Sequence, residues 1–336
     1  MKISKEELEK LPLIDTGEVL EDISSTGKKR DWDGCKKDNE KLVTLYEKIE
    51  ECNGLVTKET IFRVYMCGRV LGFLEDAKQR KRLFHAIFCR NRFCRMCNFR
   101  RSLKMYGQIS MITDKMMEEK KVEFLFLTLT IKNVTGDKLA ETITKLIKAF
   151  SYIVSKHQTF APSKKLKKSL LGGMRALEIT YNSDAKTYHP HIHAILAVKP
   201  SYFKKDYVSK DEIIAMWKEA LHVDYDPSID IRKIDRNANA IAEVAKYPIK
   251  TSDVFDLDEN EAIEVMSCLI AATYKRRMVD FYGDFREYKR KLKLDDVENG
   301  DLIHIDDDTT SFNPIAKKFF YWNGKVGTYI SQKKII

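Results

Sequence analysis

The sequence predicts an α+β protein: an antiparallel β-sheet core flanked by helices, preceded by a helical, cysteine-bearing region. Three observations carry this. Phe124–Ile131 is a continuous apolar, β-prone run, the pattern of a buried central strand. Two further β-prone segments, Ala176–Tyr181 and His191–Val198, are separated by the turn-rich NSDAKTYHP and read as an antiparallel pair. Around them, apolar residues recur at helical spacing, and strands and helices in this order suggest α+β.

The elements follow in order. The first forty residues are polar and weakly periodic and read as a loosely ordered arm. Leu42, Leu45, Tyr46 and Ile49 line one helix face, and a second apolar pattern runs from Ile61 through Val64, Tyr65, Val70 and Leu71. Asp137 can cap a helix whose apolar stripe is Leu139, Ile143, Leu146, Ile147, Phe150 and Ile153. Ser209 and Glu212 form a capping box ahead of Ile213, Ile214, Trp217 and Leu221. A short helix is expected over Ala238–Tyr247, a long one near Asn260–Tyr282, and one or two strands in the last thirty residues. The expected division is an arm over 1–40, a helical, cysteine-bearing region over 41–120, an antiparallel-sheet domain over 121–303 and a C-terminal extension over 304–336.

Composition narrows the function. With 336 residues, 43% of them hydrophobic, and only 21 Gly or Pro, the chain can bury a core. No apolar run approaches the roughly 18–20 residues that span a bilayer, and MKISKEELEK lacks the apolar stretch of a secretory signal. Seven cysteines without an export signal suggest reduced thiols or a metal site in the cytoplasm. The net charge of +10 is uneven: residues 77–113 hold ten Lys or Arg and residues 142–177 hold eight, and neither window contains an acid. Such windows suit a polyanion, with nucleic acid the leading partner.

The segment YHPHIHAILAV holds three of seven histidines. In a strand His191 and His193 face one way, roughly 7 Å apart at Cα, close enough for both imidazoles to reach one cation. Glu178, on a face with Ala176 and Thr180, is the candidate third ligand, since a carboxylate among apolar neighbours needs a partner. Mixed imidazole and carboxylate ligation suits Mn²⁺ or Mg²⁺. His189, ahead of Pro190, is read as a turn residue.

Cys89, Cys94 and Cys97 follow a C-x4-C-x2-C spacing, whose C-x2-C end can grip a structural Zn²⁺. The fourth ligand is Cys67 or His85, with Cys67 preferred. Arg90, Arg92, Arg95, Arg100, Arg101 and Lys104 surround these cysteines and are expected to contact DNA, as is Lys246. Phe93 and Phe99 are read as core residues, and Cys35, Cys52 and Cys268 as packing or surface residues.

Glu243 and Tyr247, in IAEVAKYPIK, stack on one helix face about 6 Å apart at Cβ. A phenol nucleophile needs help from a metal, a cation or a base. Taken together, FLTLT (126–130), HPHIHAILAV (189–198) and EVAKY (243–247), with FCRNRFCRMCNFRRSLK (88–104) upstream and YKRRMVDFYGDF (274–285) downstream, resemble the rolling-circle plasmid replication initiators of the HUH endonuclease superfamily. The resemblance spans roughly residues 60–303. It implies a site-specific DNA nickase whose central strand bears a His-hydrophobic-His motif, with His191 and His193 on a divalent cation. Tyr247 would be the nucleophile, forming a 5′-phosphotyrosyl link, and Glu243 would activate water at termination. The implied partners are plasmid origin DNA, a host helicase and a host polymerase primed by the 3′-OH; oligomeric state is left open, a dimer included. Two residues depart from the pattern: His189 stands where asparagine is more usual, and Pro248 should end or kink the helix after Tyr247. Within the same chemistry a mobilisation relaxase or transposase is open, and outside it a non-catalytic, zinc-stabilised DNA-binding regulator.

Overall fold

The computed structural model describes residues 5–14, 17–24, 26–154, 161–234, 241, 245, 251–305 and 312–332. In chain order the helices are α1 (Lys5–Lys10), α2 (Trp32–Asn53), α3 (Lys58–Met66), α4 (Arg95–Glu119), α5 (Gly136–Val154), α6 (Ala161–Ser169), α7 (Lys210–Leu221), α8 (Glu259–Thr273) and α9 (Asp284–Lys291). The strands are β1 (Val70–Asp76), β2 (Lys81–Ala86), β3 (Glu123–Thr130), β4 (Leu170–Asn182), β5 (Thr187–Val198), β6 (Ile229–Lys233), β7 (Val279–Gly283), β8 (Pro314–Asn323) and β9 (Thr328–Ser331). Among the described residues no helix is long and apolar enough to cross a membrane.

The chain forms two units, residues 1–104 with 299–336, and residues 105–298. The first is built on a four-stranded sheet ordered β2-β1-β8-β9, with its described pairs antiparallel. Burial alternates along β8, so Phe320 and Trp322 turn into a core where Phe73 meets both Trp32 and Phe320 edge-on. Trp32 opens α2, which Asp31 caps by accepting from the Gly34 N–H and which ends at Gly54 in the left-handed conformation; a glycine is the residue that terminates a helix this way without strain. The leading segment has partners along the sheet edge. Lys317 N–H donates to the Pro12 carbonyl, Leu20 N–H to that of Tyr329 and Ser331 N–H to that of Glu18.

The second unit carries a five-stranded sheet, β6-β3-β5-β4-β7, antiparallel throughout, with β5 at its centre. One face packs on the distal part of α4 (Met105, Ile109, Ile112, Met116) and on Phe285 and Tyr288 of α9. The other presents Leu127, Leu129, Leu177, Ile192, Ala194 and Leu196, all buried, to the layer containing α5, whose stripe from Leu139 to Ile153 is also buried. Burial of both faces explains why β3 and β5 read as near-continuous apolar runs.

Three expectations change. The apolar pattern from Ile61 to Leu71 is two elements: α3 stops at Met66, and Val70 and Leu71 open β1. Gly68, at φ 64°, makes the turn, and a Cβ there would meet Met96 Cε at 2.3 Å. The helix expected over Asn260–Tyr282 ends at Thr273; Lys275 adopts φ 52°, and residues from Val279 form β7. Finally, the helix at Asp137 begins at Gly136, so Asp137 lies in its first turn, where a carboxylate favours the helix dipole.

Candidate functional site

The first site grows from strand register. Ala176 and Thr128 flank His193, and Glu178 and Thr130 flank His191. Alternation puts His191, His193, Glu178 and Thr128 on one face of the sheet. Glu178 Oε2 lies 3.0 Å from His193 Nε2 and 3.4 Å from His191 Nε2. All three side chains are 12–15% exposed, enough burial to weaken water's competition yet open to a substrate.

Hydrogen bonds fix how the imidazoles point. His191 Nδ1 is 3.2 Å from the His189 carbonyl oxygen, which can only accept, so this nitrogen carries the proton and Nε2 of the neutral ring keeps its lone pair. That lone pair faces a carboxylate oxygen. Two electron-rich atoms turned toward each other need a positive charge between them, either a proton on the ring or a divalent cation, and the cation can use the tautomer already set. His193 Nδ1 is 3.1 Å from Thr128 Oγ1. Burial works against ionisation of Glu178; where the ring nitrogens facing it carry protons, the hydrogen bonds from His191 and His193 outweigh that burial and hold the carboxyl below its usual range, and a cation would take the place of those protons. The three residues form one metal-capable group, their ligand atoms all within 4.8 Å of one another.

His189 is part of β5 and not of a turn; its Nδ1 bonds Asn133 Oδ1 at 2.7 Å, and burial followed by the neighbouring His191 lowers its pKa. Thr128 and Asn133 are orienting residues that the sequence reading missed. The alternation in FLTLT, with threonine inside an apolar strand, was the available signal for Thr128. Glu243, Lys246 and Tyr247 lie outside the described residues. Their neighbours Ile241 and Ala245 are described: Ala245 is buried, and both pack on the core that contains Phe126, Ala176 and Ile195, residues of the metal-bearing face.

The second site is a cluster of four buried cysteines, Cys67, Cys89, Cys94 and Cys97. Sγ–Sγ distances are 3.6 Å for Cys67–Cys97, Cys89–Cys97 and Cys94–Cys67. A tetrahedral metal with bonds of about 2.3 Å requires sulfurs about 3.8 Å apart, so the cluster fits such an ion. His85, the other candidate ligand, is exposed on β2 and outside the group. The sulfurs accept hydrogen bonds as thiolates do. The Cys89 N–H donates to Cys67 Sγ, Arg90 N–H to Cys97 Sγ, Asn91 N–H to Cys89 Sγ, and Asn39 Nδ2 to Cys94 Sγ. Burial opposes ionisation of Cys94, yet hydrogen bonds from the other three cysteines hold its pKa well down.

Beside the cluster, Lys36 is fully buried. Its ammonium donates to Asn39 Oδ1 at 2.8 Å and to the carbonyls of Tyr65 at 3.0 Å and Cys67 at 2.8 Å. Burial pushes the Lys36 pKa down while Cys67 pulls it back up. An ammonium this deep needs an anion nearby, and four thiolates on a divalent metal leave a net charge of −2.

The surrounding cations differ from expectation. Arg100, Arg101 and Lys104 are buried and bind carbonyls: Arg100 those of Leu302 and Ile303, Arg101 those of Arg90 and Asn91, and Lys104 that of Asp301. Helical spacing turns Arg100 and Lys104 toward the returning chain and Arg101 toward the cysteine loop, so these three side chains brace the fold from buried positions instead of standing on the surface. Arg95 is held by Asp38 and Asp31; Arg90 is exposed and Arg92 half-buried. Phe93 is buried, and Phe99 packs edge-on against Trp32. Cys35 is buried, Cys52 exposed and Cys268 half-buried.

A central histidine strand, an antiparallel sheet and concentrated basic windows define an α+β protein with two groups of side chains able to hold a metal. Comparison with known proteins gives its family. Residues 80–330 match the replication-protein family. The protein rep of Streptococcus pneumoniae serotype 2 (strain D39) is 38% identical over 326 residues, spanning 94% of this chain and 96% of the relative. That of Bacillus amyloliquefaciens is 34% identical, spanning 93% and 97%, and that of Lentilactobacillus hilgardii 32% identical, spanning 89% and 94%. The chain belongs to the plasmid Rep family of replication proteins. No solved structure matches it.

Proposed function

We propose that this protein initiates plasmid rolling-circle replication as an HUH-type nickase, cutting one strand of the origin by attack of Tyr247 on the scissile phosphate. The observation that carries the reading is the convergence of His191, His193 and Glu178 on one point of the central strand. A Mn²⁺ or Mg²⁺ ion held there would polarise a phosphate oxygen and offset charge developing in the transition state. The Tyr247 phenol oxygen bonds to phosphorus and gives up its proton to water, while the bond from phosphorus to the 3′ oxygen breaks and that oxygen takes a proton from water. The products are a 5′-phosphotyrosyl link and a free 3′-OH for a host polymerase, with a host helicase opening the duplex. Energy of the broken ester is kept in the new one, so no nucleotide is consumed. Glu243, acting as a base on water, releases the last strand. Support for Tyr247 comes from its neighbour Ala245, buried in the core beneath the metal-bearing face. The cysteine cluster is read as a structural zinc site.

The test is a covalent adduct. Incubated with a single-stranded origin oligonucleotide and Mn²⁺, the protein should shift on a denaturing gel; Tyr247→Phe should abolish the shift, and Tyr181→Phe should keep it. Tyr181 already donates to Glu261 at 2.8 Å. An adduct that survives Tyr247→Phe would overturn the assignment.

A further inference from the structure

The outer face of the four-stranded sheet carries an aromatic patch that neither metal-capable cluster uses. With Ala316, Phe320 and Trp322 turned inward, β8 leaves Ile315, Phe319 and Tyr321 on the opposite side. Register sets Phe319 opposite Gly72, and Gly72 opposite His85. A bulge between Gly72 and Phe73 brings Phe84 to the same side, where its ring centroid lies 5.5 Å from that of Phe319; His85 lies 5.8 Å from it. Gly72 lets these rings close in. A Cβ there would stand 2.9 Å from both Phe319 and His85 and 3.1 Å from Phe84. His85 is exposed, Phe84, Phe319 and Tyr321 are half-buried, and Ile315 is 51% exposed.

Cations line one end of this face. The turn from β1 to β2 supplies Lys78 and Arg80, and β2 supplies Arg82, whose guanidinium lies 4.6 Å from the Phe312 ring. Acids are nearly absent: β1, β2 and β8 contain only Glu75 and Asp76. Glu75 is buried between Lys81 and Lys318, and Asp76 is paired with Arg80. Partly wet rings beside a basic rim match the demands of a nucleic acid with its bases unpaired, since a duplex keeps its base faces covered.

We propose that this sheet face binds single-stranded DNA, with bases stacking on Phe84, Phe319 and His85 and phosphates running to Lys78 and Arg82. That the strand is the one opened at the origin rests on the nickase reading above. The test uses the full chain in a Tyr247→Phe background, so that binding is separated from cleavage, and follows fluorescence anisotropy of a labelled thymidine oligonucleotide and of a matched duplex. Phe84→Ala with Phe319→Leu should weaken single-strand binding about tenfold or more, and the exposed His85→Ala about fivefold. Duplex affinity should change less than about twofold. Far-UV circular dichroism and bound zinc identify variants that keep their fold, and His85→Ala, which removes no core contact, guards against a double variant that does not. Unchanged single-strand affinity in folded variants overturns the proposal, as does an equal loss for both forms of DNA. The adduct assay with Tyr247 intact separates the two readings. An adduct without ring-dependent binding removes this face alone; ring-dependent binding without any adduct removes the nickase alone.

Discussion

Lys36→Met is the most decisive perturbation of the cysteine cluster, because two accounts of that cluster predict opposite signs. If a metal binds four thiolates, the Lys36 ammonium is their buried counter-charge. Methionine nearly preserves the volume but removes the charge. The carbonyls of Tyr65 and Cys67 then lose their donor, and a dianionic centre is left without its cation. Removing one partner of a buried charge pair costs about 3–5 kcal/mol, which corresponds to a loss of metal affinity of roughly two to three and a half orders of magnitude. Competition against a chromophoric zinc chelator reads this directly, with Lys36→Arg as a control that keeps the charge. If the cluster is instead four neutral thiols, burial already works against the ammonium, and its removal should leave stability unchanged or raised. A Lys36→Met protein of equal or greater stability, with its metal content and affinity unchanged, would refute the charge argument.

Three further outcomes are expected. His193→Ala and Glu178→Ala should each lower Mn²⁺-dependent adduct formation by about a hundredfold while leaving the unfolding midpoint nearly in place, because the lost partner faces an open site. Asp76 accepts the N–H groups of Lys78 and Arg80 and the Arg80 Nε–H. Burial raises its pKa, but these bonds outweigh that and hold it below the usual range. Its contribution to stability is therefore present above about pH 4 and lost as the pH falls through the depressed folded value; urea midpoints of Asp76→Asn should show a smaller acid sensitivity than the parent. Gly283→Ala should destabilise by about 2 kcal/mol or more, seen by urea unfolding. The residue sits at φ 53°, and a Cβ would lie 2.4 Å from the Leu171 carbonyl oxygen and 2.7 Å from Gly172 Cα.

How far the sequence revealed this protein depends on whether a feature is local. The histidine strand was legible because alternation is a property of one segment, and Glu178 was legible by parity on its own strand. What alternation cannot supply is register. Thr128 beside His193 and Asn133 beside His189 depend on which residues of separate segments lie opposite one another, and hydrogen-bond pairing decides that only after folding. The cysteines were legible by spacing, and preferring Cys67 agrees with the group observed. Boundaries failed where the chain reverses in a left-handed conformation. Gly68 and Lys275 each interrupt a run of side chains whose apolar pattern continues unbroken, so α3 appeared to extend into β1 and α8 into β7. The basic window was legible as charge but not as direction. Arg100, Arg101 and Lys104 are as cationic as Arg90, and only tertiary packing reveals that their charges are consumed by carbonyls.

The order of the chain gives the cysteine cluster a physical purpose beyond its own stability. The unit that contains it is discontinuous, and β8 must pair with β1 across about 240 residues of intervening chain. Closing a loop of that length is entropically costly, though the cost grows only slowly with length. Until β8 arrives, Phe73 lacks Phe320 and β1 has an open edge, the state most exposed to wrong pairing. All four cysteines, by contrast, fall between residues 67 and 97. A metal bound there ties the end of α3 to the start of α4 using short loops only, and Lys36 and Asn39 draw α2 onto the same point. β1 and β2 lie between Cys67 and Cys89, so an ion held by the cluster would fix the ends of the hairpin that β8 joins. Metal binding at this cluster would thus be a local step that prepares a non-local one, with its free energy spent where an apolar core is not yet complete.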